Sequence, residues 1–300
     1  MTVGPGIAER MLVALAALPG QRFAVLDGAR LDDLPGLLAA RGLGGRGLFR
    51  EGGAPAALAA GPRLVLLGTE AAARAVLDLA LGRSAVVFWS WDGDGISLFN
   101  HLRRINMVEI PRDAGAGAGP GGYEAVLLRH ADPAVMADLL PLLDGAQVAL
   151  LFRQAHALLL EPAAGQDRPR TYHRPANLPP PATGRLRITP AQYDMLGVQR
   201  MAGSRRNVAE YLIRHAHPAR PPSWAEAERI AQESEASGRE LGLHGEAARA
   251  RWAFLMMATE GRVAADPDVR HLLTRPGGRP ERDVSQLMDF VVDGLRRGMR

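Results

Sequence analysis

Two patterns of apolar residues divide the chain. Up to about residue 161, short continuous apolar runs alternate with stretches whose apolar positions recur every three or four residues. Runs of that length read as buried strands and the recurring pattern as helices. Phe23 to Leu26 is a strand closed by an Asp-Gly turn, and a helix follows from about Leu34 to Ala40. Arg63 to Leu67 is a second strand, and the helix after it is capped by Thr69 and stopped at Gly82. "SAVVFWS" predicts a third strand, with Asp92 to Gly95 as its turn and Ser97 to Arg104 as the next helix. "NMVEI" and "YEAVLLR" follow as strands, Asp132 opens a helix with Pro133 in its first turn, and "AHALLLE" is the last strand. Strands alternating with helices predict an α/β (α+β) lobe, a mixed sheet packed by helices.

Between Glu161 and Arg185 the pattern gives way to "PAAGQDRPRTYHRPANLPPPATG". Proline at that density neither continues a helix nor supplies ladder donors, so this stretch predicts a partly extended linker. Beyond it the periodicity is helical throughout. Thr189 caps a helix in which Tyr193, Leu196, Val208, Tyr211 and Leu212 fall near one face, and Ser223 with Glu226 forms a capping box for the next. The caps predict four to five helices in all. The expected organisation is an α/β lobe over residues 1–161, a linker over 162–185 and an all-α lobe over 186–300.

Composition narrows the chemistry. A chain of 300 residues buries about 75% of its unfolded surface, yet only 5% of this one is aromatic, so alanine, leucine and valine must fill the core. There is no cysteine, which excludes disulfides, thiolate zinc sites and a cysteine nucleophile. Every strongly basic residue is arginine, which gives a pI near 10.2 beside a net charge of only +4. Without lysine there is no phosphate loop ending in Gly-Lys. The run from Met11, "MLVALAALPG", follows Glu9 and Arg10 and is too short for a secretory core, so it predicts an amphipathic or buried first helix.

The remaining motifs weigh against catalysis. "WDGDGISLFNHL" begins like a calcium loop, but Arg103 stands where the bidentate glutamate belongs. Gly42, Gly44 and Gly47 have dinucleotide-loop spacing but follow a helix; Gly117, Gly119 and Gly122 belong to a glycine-rich run that reads as a flexible hairpin tip. His215 and His217 are two apart at a helix end, which suits capping better than a metal. Asp27, Arg30, His101, Arg103, Arg104 and Asp132 gather near strand ends, where they either pair and cap or line a polar groove used by a partner. Arg200, Arg205, Arg206 and Arg214 are concentrated on the first C-terminal helix, where guanidinium groups can receive an acidic segment.

The ordered succession "FAVLDGAR", "AGPRLVLL", "GRSAVVFWS", "LFNHLRRINMVEI", "LLRHADPAVMADLLPLL" and "AQVALLFRQAHALLLE" resembles the N-terminal domain of type VI secretion effector chaperones, or adaptor proteins. It covers about residues 20 to 161. "GLHGEAARARWAFLMMATEGRVAADPDVRHLL" resembles the more weakly marked C-terminal part of such proteins. The resemblance departs in "RHADPA", where a more aromatic approach to the Asp-Pro is usual, and in the glycine-rich insertion at 114–122. It implies a cytoplasmic, non-enzymatic carrier without cofactor or metal. Such a carrier binds a particular effector and helps load it onto the VgrG spike or its PAAR tip. It further implies that Asp27 to Arg30, His101 to Arg104 and Asp132 to Pro133 occupy recurring family positions that maintain the lobe. Two alternatives stay open on the residues alone: a nucleotide-dependent or hydrolytic enzyme using Asp27, Asp92 or His101, and an arginine-driven nucleic-acid binder.

Overall fold

The computed structural model describes residues 5–49, 54–112, 122–163, 166–216 and 220–298. The glycine-rich run expected as a hairpin tip, apart from Gly122, and His217 lie outside them. The chain forms two compact units, Met1–Val198 and Gln199–Arg300.

The first unit is built on β1 (Gln21–Leu26), β2 (Arg46–Gly47), β3 (Arg63–Leu66), β4 (Val86–Trp91), β7 (Ala155–Leu160) and β8 (Arg170–His173), in the spatial order β2-β3-β1-β4-β7-β8. Every neighbouring pair in this sheet is antiparallel. Since β3 and β4 both run opposite to β1, they run the same way, and α4 (Glu70–Ala80) is the crossover between them. The mixed pairing expected from the sequence sits in a second, smaller sheet, where β5 (Met107–Pro111) pairs antiparallel with β6 (Tyr123–Leu127) and parallel with β9 (Leu186–Arg187).

Alternation along the strands sends side chains to two cores. Ala24, Leu26, Val65, Val86 and Phe88 pack under α4, α1 (Pro5–Ala17) and α2 (Leu34–Ala39). Phe23, Val25, Val87, Trp89 and Trp91 face the opposite side, against α5 (Gly95–Ile105), α6 (Pro133–Leu139) and α7 (Gly145–Phe152). Central β4 is covered on both faces, so all six of its residues are buried; a continuous apolar run is the sequence signature of such a strand. Its one polar side chain, Ser90, donates to the Pro19 carbonyl.

Helix ends follow the residues read as caps. Thr69 accepts from the Ala72 amide at 3.2 Å and Asp132 from Ala134 at 2.9 Å. Asp94, expected within a turn, is itself the cap of α5, accepting from the Ser97 amide at 2.7 Å. Elements additional to the sequence expectation include β2, the short α3 (Pro55–Ala59), α7, which a reciprocal Asp144–Gln147 capping box starts, and strands β8 and β9.

The Pro-rich stretch expected as a linker is partly structured. Arg170–His173 is β8, an edge strand on β7, and Pro175 follows where the ladder stops. From there the chain is pinned at intervals. The Arg174 amide donates to the His156 carbonyl at 2.8 Å, Ala182 to Ala146 at 3.1 Å and Ile188 to Glu109 at 2.8 Å.

The second unit is helical. The boundary between units falls within α8 (Pro190–His215), which is followed by α9 (Trp224–Glu240), α10 (Glu246–Ala258), α11 (Arg262–Ala265), α12 (Pro267–Thr274) and α13 (Pro280–Gly298). Six helices among the described residues exceed the four to five read from caps. Asp266 caps α12 with Pro267 at its first turn. Ser223 caps α9 by accepting from the Glu226 amide at 3.2 Å. Trp252 is fully buried and donates its indole N–H to Ser237 at 2.9 Å.

Candidate interaction groove

Helix α5 sets the geometry of the site. Its buried face carries Leu98, Phe99, His101, Leu102 and Ile105, which leaves Asn100 and Arg104 on the exposed side and Arg103 half-buried. Its first turn is tied to β4 by the Trp91 indole, which donates to Ser97 Oγ at 2.9 Å. His101 lies beneath, stacked on Trp91 with centroids 5.2 Å apart, and its Nε2 meets the Leu151 carbonyl at 2.8 Å. A carbonyl can only accept, so Nε2 carries the proton. Burial pushes the His101 pKa down to about 4, overcoming the hydrogen bond to Leu151, and the charges of Arg153 and Arg104 push the same way.

Arg153 closes α7 with φ 49° and ψ −104°, a strained conformation for a residue with a side chain. Arg153, Arg104 and Arg174 line one cavity of about 470 Å³ above Trp91 and His101, with Pro179 and Pro181 of the pinned Pro-rich stretch as a wall. A second cavity of about 840 Å³ shares Asn100 and Arg104 with the first and adds Arg103 and Arg185. No aspartate or glutamate lines either cavity. Among the described residues, none of these five arginines is in a salt bridge; Arg103 sits 5.3 Å from the Phe99 ring centroid, and Arg46 covers the same ring at 3.8 Å.

The other residues singled out in the sequence have different surroundings. Asp27, Arg30 and Asp132 come together in an ion-pair cluster through Arg129, a residue the sequence reading did not select. Arg129 lies 2.5 Å from Asp27 and 3.6 Å from Asp132, and Arg30 lies 3.3 Å from Asp132. Both carboxylates are buried and also accept backbone amides. Burial works to lower the Arg129 pKa, but the bond to Asp27 and the two negative charges outweigh it and raise the value.

Beside this cluster His130 is fully buried, with Nε2 2.6 Å from Asn106 Oδ1 and Nδ1 without a partner. Desolvation, with His101 nearby, pushes its pKa to about 4 as well. In the second unit, Arg205 pairs with the buried Glu235, Arg214 pairs with Glu210 at 3.0 Å, Arg200 is exposed and Arg206 half-buried. Among the described residues, no group of three or more His, Asp or Glu is placed to hold a metal, and no helix is long and apolar enough to cross a membrane.

Arg153, Arg174 and Arg185 escaped the sequence reading because nothing local marks them. Arg153 sits in "LFRQAH" between a helix and a strand, and Arg174 and Arg185 lie in the Pro-rich stretch. Residues 22–150 match the family model described as a domain of unknown function, DUF4123. Neither the curated proteins nor the solved structures contain a match to the chain.

Proposed function

We propose that this chain is a non-catalytic, cytoplasmic adaptor that binds one type VI secretion effector and promotes its loading onto the VgrG spike or its PAAR tip. The match of residues 22–150 to the DUF4123 model carries this reading. It spans β1 through most of α7, the same succession of elements in which the sequence resembles the effector chaperones. The groove supports it too. Arginines without carboxylate partners suit reversible recognition of another chain, and the histidine at its floor is neutral and bonded inward, not aimed at a nucleophile. In this reading Arg103 and Arg104 face the client, Asp27, Arg30 and Asp132 maintain the lobe, and the α8 arginines contribute on the helical side.

The test is affinity capture of the tagged full chain from its native host, with bound proteins identified by mass spectrometry, together with a deletion strain. Recovery of a spike protein and one toxin is expected, with delivery of that toxin lost on deletion while the apparatus still fires. Unchanged delivery in the deletion strain rules the proposal out.

A further inference from the structure

We infer that the groove along α5 receives an extended acidic segment of the client, with carboxylates seated on Arg104, Arg153 and Arg174. The inference rests on the adaptor reading for the identity of the client, and on the groove itself for the chemistry. Three cationic side chains reach one cavity from three separate places: the last turn of α5, the end of α7 and the residue after β8. Each is placed by backbone that does not depend on a ligand. α5 is fixed by its Asp94 cap, Arg153 by its positive-φ backbone after α7, and Arg174 by the hydrogen bond its amide donates to the His156 carbonyl. Guanidinium groups carried at such positions can meet carboxylates bidentately.

Shape points to a chain and away from a single small anion. The cavities of about 470 and 840 Å³ both border on Asn100 and Arg104, so arginines recur from Arg174 in the first to Arg185 in the second. Proline side chains form a wall of the first cavity, and Leu48, Phe49 and Leu127 line part of the second, which gives apolar residues between the carboxylates somewhere to lie.

The same lining disfavours nucleic acid, whose single strands need open aromatic faces for stacking. Trp91 is only 1% exposed and stacked on His101, Phe99 lies under Arg46, and Phe49 packs against Gly61. Arg103, Arg104 and the apolar Leu48, Phe49 and Leu127 fall within the residues that match the family model; Arg153, Arg174, Arg185 and the proline wall lie beyond position 150. Three of the five arginines of the groove therefore come from outside the matched stretch.

The test measures fluorescence anisotropy of a labelled glutamate homopolymer, and of oligothymidylate of equal length, with the full chain and with the double variant Arg104→Glu/Arg174→Glu. Arg41→Glu, an exposed charge outside both cavities, is the control reversal, and matching thermal melts check the fold. Expected are saturable binding of polyglutamate that weakens with salt, a loss of roughly tenfold or more in the double variant, and little change in the control. Absent polyglutamate binding, equal binding by the double variant, or tighter binding of oligothymidylate overturns the inference. Capture from the host separates the two claims: a double variant that still recovers the wild-type client removes the groove and keeps the adaptor. A wild-type chain that recovers no client removes the adaptor, whatever polyglutamate does.

Discussion

Burial determines the protonation of His101 and His130, and that makes stability depend on pH. Both have pKa values pushed down to about 4 from the ordinary 6.5. A histidine depressed in the folded state binds its proton more readily when unfolded. Its contribution is therefore complete above about pH 6.5, is lost as pH falls toward about 4, and changes no further below that. Between about pH 7 and about pH 5 each site costs on the order of 2 kcal/mol. Buried Glu161, whose pKa is raised by desolvation, acts in the opposite sense and partly offsets this. Proton NMR resolves the sites directly: two imidazoles are expected to stay neutral to below about pH 5, and a normal titration of all histidines would contradict the burial described. Asp132→Ala removes a helix cap and two arginine contacts together, and urea denaturation is expected to show a loss of about 1–3 kcal/mol. Asp27, Arg30 and Asp132 were legible as a group because each flanks an element boundary. Arg129 was not, because only the pairing of distant segments brings it to Asp27, 102 positions away.

At the level of elements, strands and caps were legible where local chemistry was strong. The continuous apolar run of β4 and the Asp-Pro opening of α6 announce themselves without tertiary information. α7 did not, because "AQVALLF" is apolar on every side and a short run of that kind reads equally as buried helix or strand. β8 and β9 were hidden for another reason: they lie within or just after the Pro-rich stretch, and only the β7 and β5 edges make short segments there into strands. Gly20, between α1 and β1, shows how tightly those junctions are drawn. It has φ +70°, and a Cβ there would meet the Trp91 carbonyl oxygen at 2.6 Å. Gly20→Ala is expected to cost about 2–4 kcal/mol in chemical denaturation, and an unchanged midpoint would mean that the junction relaxes freely.

For the whole molecule, the point at which the chain can be cut follows from where the Pro-rich stretch is pinned. A fragment ending at Val198 keeps β9 on β5, with Leu186 and Ile188 buried to 1% and 2% exposure. One ending near residue 175 loses both side chains and the proline wall of the groove. Thermal melts are expected to separate the two fragments by about 3–6 kcal/mol of stability, the worth of two buried aliphatic side chains. The groove itself was half legible in the sequence: Arg103 and Arg104 stand out beside each other, whereas their counterparts join them only through the ends of α7 and β8. The stack of Trp91 on His101 gives this surface an optical reporter. An anion arriving between Arg104 and Arg153 changes the electric field across that indole, so the chain's own tryptophan emission should shift as the groove fills, with no dye attached.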